Sequence, residues 1–102
     1  MSKLIGRDCL LAYDIDIRTG DSHSLLEAAS GKRINPAQDV IIGDHVWIAA
    51  HVNILKGVSI GMNSVIATGA TVVKPVQEAG VVIAGNPAKL VKREITWTRE
   101  RI

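Results

Sequence analysis

The amino-acid sequence predicts an all-β fold, a parallel β-helix of about three coils with one protruding loop. Three observations carry that expectation. The first is a period of six. From Ile42 the chain divides into IGDHVW, IAAHVN, ILKGVS, IGMNSV, IATGAT and VVKPVQ, and every unit opens on Ile or Val. The fifth position of each is small or β-branched: Val46, Val52, Val58, Ser64, Ala70 and Val76. The second is composition. Hydrophobic residues make up 47% of the 102-residue chain, yet Phe is absent and only Tyr13, Trp47 and Trp97 are aromatic. The apolar content is Ile, Val, Leu and Ala, which suits narrow strands. The third is that the repeat fails once, between Ile17 and Val40.

Each element follows from these. The first and fifth positions of a unit lie four apart, an even spacing that points both side chains to one face of a strand. The residues between them form the turn to the next strand, and three units close one triangular coil. The same pattern occurs upstream in IGRDCL and LAYDID, with Ile17 opening a further unit. Repeat coils are therefore expected over 5–18 and 40–77, in a single domain spanning 1–102. Glycine at unit position two (Gly6, Gly43, Gly61) is expected to supply freedom at the bend. A buried helix is disfavoured, because Gly57, Gly61 and Gly69 would each cost about 1 kcal/mol in its interior.

The interruption, 19–39, is polar and broken by Gly20, Gly31 and Pro36. A loop of this length inside a compact domain is functional or disordered. Its Thr-Gly-Asp-Ser and Asn-Pro turn chemistry favours a shaped excursion ordered against a neighbour. Beyond the repeat, Asn86-Pro87 reads as a helix start, with Asn as N-cap and Pro at the first helical position. A strand followed by a short C-terminal helix is expected over 81–102.

Bulk properties exclude several function classes. A net charge of +2 is too mild to imply a nucleic-acid partner, and three scattered aromatics supply no base-stacking platform. No apolar run approaches the roughly 20 residues of a membrane span. The N-terminal MSKLIGRDCL carries no long apolar segment of a signal peptide. Cys9 is the only cysteine, so no intrachain disulfide forms and a reducing, cytoplasmic setting is expected. Cys9 falls at an inward fifth position and reads as core.

The stretch IIGDHVWIAAHVNILKGVSIGMNSVIATGATVVKPV, followed by VVIAGNPAKLVKREI, resembles the left-handed β-helix acyltransferases. The closest likeness is to sugar and capsule O-acetyltransferases and to galactoside, maltose and xenobiotic acetyltransferases. IGDHVWI and AGNPAKLV are the most specific segments. The resemblance implies the left hand of the coil, acetyl-CoA as co-substrate, and a hydroxyl or amine of a sugar or similar small acceptor. It also implies that His23, in TGDSHS, is the general base. The chemistry suits the residue, since an imidazole titrating near about 6.5 is largely neutral at pH 7 and accepts a proton. Asp21 either supports the His23 imidazolium, as a carboxylate does in a triad, or shapes the turn through bonds to backbone.

Trp47, at the outward last position of its unit, calls for a partner, either another subunit or a ligand. By resemblance it lies near the acetyl end of the donor, with Ala49 and Ala50 beside it as sources of backbone N–H groups for the oxyanion. Thr68 and Lys74 match donor-contacting positions. Lys89 and Lys92 match basic positions that face the CoA phosphates, where cationic side chains make charge-assisted bonds. Ala49 stands where the family usually carries glycine, and Val73 replaces a frequent threonine. His45 and His51 are six apart, on successive faces, without the spacing of a zinc site, so no metal is expected.

A short prism of coils has a large surface for its volume, and its flat faces and open end call for cover. A homotrimer is expected, with His23 of one chain meeting Trp47 and the donor groove of another. The alternative is a non-catalytic trimeric β-helix module that has lost its acceptor-binding coils.

Overall fold

A computed structural model describes residues 2–102. Eleven strands form in chain order: β1 Lys3–Ile5, β2 Leu10–Leu11, β3 Asp16–Ile17, β4 Val40–Ile42, β5 Trp47–Ile48, β6 Asn53–Ile54, β7 Ser59–Ile60, β8 Val65–Ile66, β9 Thr71–Val72, β10 Val82–Gly85 and β11 Ala88–Lys92. They stack into three sheets, β1-β4-β7, β11-β10-β8-β5-β2 and β3-β6-β9. All pairings are parallel except the terminal β10–β11 pair. Strands β1 to β9 therefore visit the three sheets in turn, as a triangular coil requires.

The register is the same in every sheet. Ile5 lies over Ile42 and Ile42 over Ile60. Leu11, Ile48, Ile66 and Ile83 form a second column, and Ile17, Ile54 and Val72 a third. These first-position residues meet the fifth-position ones on the axis. The resulting core contains Val40, Ile42, Val46, Ile48, Val52, Ile54, Val58, Ile60, Ile66, Ala70, Val72, Val81 and Ile83, with no aromatic member. Ser64, the polar fifth-position residue, is buried but satisfied. Its hydroxyl donates to Met62 O at 3.3 Å and accepts from Val81 N at 3.3 Å. Cys9 is half-buried against this core.

The corners are built on unit position four. Asp8, Asp14, His45, His51 and Asn63 there have φ of 57, 56, 53, 61 and 60°, and Gly57 and Gly69 have 78 and 77°. Asp, Asn, His and Gly are the residues that tolerate the left-handed region. Pro75 holds this position in VVKPVQ, and its ring fixes φ near about −65°, so that corner takes another form. The second-position glycines, read from sequence as the flexible points, answer a different need. A Cβ on Gly43 would lie 2.8 Å from Met62 N and 3.0 Å from Ile60 O, in the coil stacked above. They are sites of close approach between coils, not of unusual φ.

The C-terminal segment departs from expectation. Among the described residues there is no helix. Asn86 and Pro87 form the turn of a hairpin in which β11 returns antiparallel along β10. Over 88–91 the alternation has period two. Ala88 and Leu90 pack against the core while Lys89 and Val91 face out. That pattern, rather than the capping signal, decides the conformation.

Residues 95–99 then descend one corner as a strap. Ile95 N donates to Gly80 O at 2.9 Å. Thr96 Oγ1 donates to Asn63 Oδ1 at 2.7 Å, and Trp97 Nε1 to His45 O at 2.7 Å. The Trp97 ring stacks on the His45 ring at 3.9 Å, with the planes 7° apart. Arg99 Nη1 reaches Asp8 Oδ1 at 2.7 Å. Each contact lies one coil below the last.

Gly43→Ala is expected to lower stability by about 1–3 kcal/mol, because the backbone it meets is held in the coil ladder. Gly69→Asn, at a left-handed corner with no atom near its Cβ, is expected to stay within about 0.5 kcal/mol of the parent. Denaturant midpoints of the two variants check the pair.

Candidate active site

The loop that interrupts the repeat leaves the corner between the third sheet and the first. Its neck is closed by Gln38 N donating to Thr19 O at 2.8 Å. Its tip is a small hairpin, with Leu26 bridged to Arg33 and with Glu27 N–Lys32 O and Ile34 N–Leu25 O bonds of 2.8 and 2.9 Å. Between neck and tip sits Asn35, which is only 4% exposed. Its Nδ2 donates to His23 O at 2.8 Å and to Asp21 Oδ2 at 3.0 Å. Its Oδ1 accepts from Leu25 N at 2.6 Å. One buried amide thus ties together the His23 carbonyl, the Leu25 N–H and the Asp21 carboxylate.

Asp21 belongs to the same cluster. Its Oδ2 also accepts from Lys56 Nζ at 2.7 Å, and Lys56 donates to Pro36 O at 3.1 Å. The bond from Lys56 first, and that from Asn35 second, hold the Asp21 carboxyl below its ordinary 3.8. These bonds run to the side chains of Asn35 and Lys56 rather than to the backbone of the turn. Among the described residues none joins it to the His23 ring. His23 itself is exposed. Beside it, at the foot of the loop, an open cleft of about 410 Å³ is lined by Lys3, Asp16, Ile17, Arg18, Thr19, Gly20 and Ser22. None of the expected donor residues lines this cleft.

Those residues gather elsewhere. Trp47, Val65, Val82 and Lys92 are successive partners across β5, β8, β10 and β11. Trp47 and Lys92 therefore share one column on the second sheet, three strand spacings or roughly 14 Å apart. At the adjoining corner, Tyr13, Ala50 and Thr68 occupy the third position of stacked units. The bonds His51 N–Tyr13 O (3.1 Å) and Gly69 N–Ala50 O (3.0 Å) hold that stack together. Lys89 pairs with Ala84 at the top of the same sheet. Lys74 does not join them. It stands at the loop-bearing corner, one coil above Lys56.

Trp47 is 37% exposed, partly covered by Trp97 of the strap at 6.2 Å. Ala49 is buried, at the second unit position where stacked coils approach closely. Its N–H already donates to Ile66 O at 2.9 Å. The Ala50 N–H has no backbone partner among the described residues. His45 and His51 sit at successive corners, and among the described residues no group of three or more His, Cys, Asp or Glu side chains is arranged to hold a metal.

Residues 39–74 match the bacterial transferase hexapeptide (six repeats) family. The chain is 47% identical over 95 residues to a polysialic acid O-acetyltransferase of Escherichia coli O1:K1 / APEC, covering 93% of this chain and 31% of that protein. It superposes on the polysialic acid O-acetyltransferase OatWY with a TM-score of 0.95 and 45% identity, over 98% of this chain and 47% of the other. With a galactoside acetyltransferase in complex with coenzyme A the TM-score is 0.75 and the identity 30%, over 89% and 44%. The chain spans less than half the length of each of these proteins.

Asn35 and Lys56, which build the loop, were not singled out from the sequence. Asn35-Pro36 was legible only as a turn, and nothing local signals that Lys56, in the facing coil, reaches back to Asp21.

Asn35→Ala is expected to leave the coils folded while stranding the Leu25 N–H, a loss of about 1–3 kcal/mol confined to the loop. Amide exchange at Leu25 should quicken about tenfold or more, with core amides unchanged. The depressed Asp21 carboxyl gives a second expectation. The charged form is favoured in the folded loop, so its contribution is present above 3.8 and is lost as pH falls through the lowered value. Acid titration followed by loop amide shifts should show the loop persisting to a pH below 3.8.

Proposed function

We propose that this chain is an acetyl-CoA-dependent acyltransferase that moves an acetyl group to a hydroxyl of a carbohydrate, with His23 as general base. The observation that carries the reading is the division of its site. Trp47, Ala50, Thr68, Lys89 and Lys92 share one sheet and its corner, while His23 stands on a built loop at another corner. A second chain bringing its loop against that sheet would complete a cleft. We infer a homotrimer, with three such clefts between subunits and Lys74 entering from the loop side.

The donor lies with its acetyl end at Trp47 and Ala50 and its pantetheine arm along the corner past Thr68. Its phosphates meet Lys89 and Lys92, cations suited to them. His23 removes the proton of the acceptor hydroxyl as that oxygen attacks the thioester carbonyl. The Ala50 N–H donates to the tetrahedral oxyanion. Collapse breaks the C–S bond, releases the CoA thiolate, and the imidazolium returns its proton to the sulfur. The acetyl ester and CoA are the products, and no acyl-enzyme forms.

The acceptor class follows from the relatives named above, which act on polysialic acid and galactosides. An amine acceptor would use the same base and the same oxyanion donor.

His23→Ala is expected to reduce CoA thiol release from acetyl-CoA with an oligosaccharide acceptor by about 10²–10⁴-fold. CoA binding measured by calorimetry should be unchanged. If the wild type binds CoA and transfers nothing to any sugar, the non-catalytic module is the better description; if it binds no CoA, the acyltransferase reading fails. Sedimentation equilibrium at micromolar concentration should give three times the mass of the 10.9 kDa chain, and a stable monomer would remove the shared cleft.

A further inference from the structure

The corner that carries Ala50 and Thr68 continues one coil further down, where three side chains are gathered that the reaction above does not use. Tyr13 is 68% exposed and meets the His51 ring edge-on, with centroids 5.4 Å apart and planes at 84°. His51 Nδ1 lies 2.7 Å from Asp14 Oδ2. Both partners are well exposed, at 53% and 73% of their side-chain surface.

The chemistry of this cluster is specific. A carboxylate oxygen only accepts, so Nδ1 of the neutral ring carries the proton and Nε2 presents a lone pair. Asp14 Oδ1 has no hydrogen-bond partner among the described residues. Two acceptors, Nε2 and Oδ1, thus stand side by side next to an aromatic ring whose hydroxyl is free. Adjacent hydroxyls of a sugar offer two donors, and the C–H face of a pyranose offers an apolar surface for the ring. An exposed polar contact of this kind adds little stability by itself, so corner stability is a weak reason for the pairing. Asp and His do fit the left-handed corner, but Asn or Gly would serve there equally well.

We propose that Tyr13, Asp14 and His51 form an acceptor subsite that holds a sugar ring by two neighbouring hydroxyls, one coil below the acetyl end of the donor. This rests on the acetyl-transfer reading for its orientation: a donor running upward from Ala50 leaves the space below it for the acceptor. The three are specificity-determining residues, not bases. The subsite would also position the ring so that another of its hydroxyls is presented to the His23 of the neighbouring chain.

The test uses the full chain and three probes: maltose, a β-galactoside and a sialic acid oligomer. His51→Asn and Asp14→Asn keep residues that suit a left-handed corner, and Tyr13→Ala removes the platform. With at least one probe, the His51 imidazole and Tyr13 ring resonances should shift, and the His51 shift should vanish in Tyr13→Ala. In transfer assays each variant should raise the acceptor KM about tenfold with the acetyl-CoA KM and thermal midpoint unchanged. Absence of any shift with all three sugars overturns the subsite. So does acetyl transfer in which the acceptor KM is unmoved, or in which both KM values rise together, and in either case the acetyl-transfer reading stands. Sugar-dependent shifts in a protein that transfers no acetyl group would keep the subsite and discard that reading.

Discussion

The structure depends on one constraint, that each coil must lie in register on the coil beneath it. A slip of one residue would turn every inward Ile and Val outward, and a prism this thin has no other core to fall back on. Register is enforced twice. The columns Ile5–Ile42–Ile60, Leu11–Ile48–Ile66–Ile83 and Ile17–Ile54–Val72 interlock on the axis. The left-handed corner residues set the length of each side, so that six residues always make one side and one bend. Packing alone would permit sliding along the strands, and the corners alone would permit an open spiral.

Because the coils are so constrained, chemistry is confined to what projects from them. Outward residues at a given unit position form straight columns, and a column is a ruler for an elongated ligand. Trp47 and Lys92 lie on one such line, Tyr13, Ala50 and Thr68 on another. The loop that carries His23 escapes the lattice only where the repeat is interrupted, and it needs its own scaffold there. The buried Asn35 supplies it, with Asp21 and Lys56 holding the loop to the coil.

The coils were legible in the sequence because their determinants are periodic and local. Ile or Val at position one and a small or β-branched residue at position five announce the axis, and the observed core follows them almost residue for residue. The corner rule was equally present in Asp8, Asp14, His45, His51, Gly57, Asn63 and Gly69. The second-position glycines mask it, since glycine suggests a bend while these serve close approach between coils. The hairpin at Asn86-Pro87 was misread as a helix start, since Asn-Pro suits both a cap and a turn; the period-two burial of Ala88 and Leu90 was the better guide. Asn35, Lys56 and the strap lay beyond reach for another reason. Apart from the Arg33 bond to Asn35, their partners are 10 to 91 residues away, and no local pattern encodes such a contact.

The strap bears on how the chain reaches its final form. Coils can form one after another as residues become available, each using the last as a template. The bond between Arg99 and Asp8 cannot, for it joins the segment that follows the last strand to the corner at Asp8 across 91 positions. It closes only when every intervening level is in place, because its intermediate footholds are Gly80, Asn63 and His45, one from each level. A coil skipped or shifted would leave Trp97 without the His45 ring beneath it. The strap therefore reports that the four levels from Asp8 to Gly80 are stacked in register, and residues 95–99 act as a gauge of that spacing.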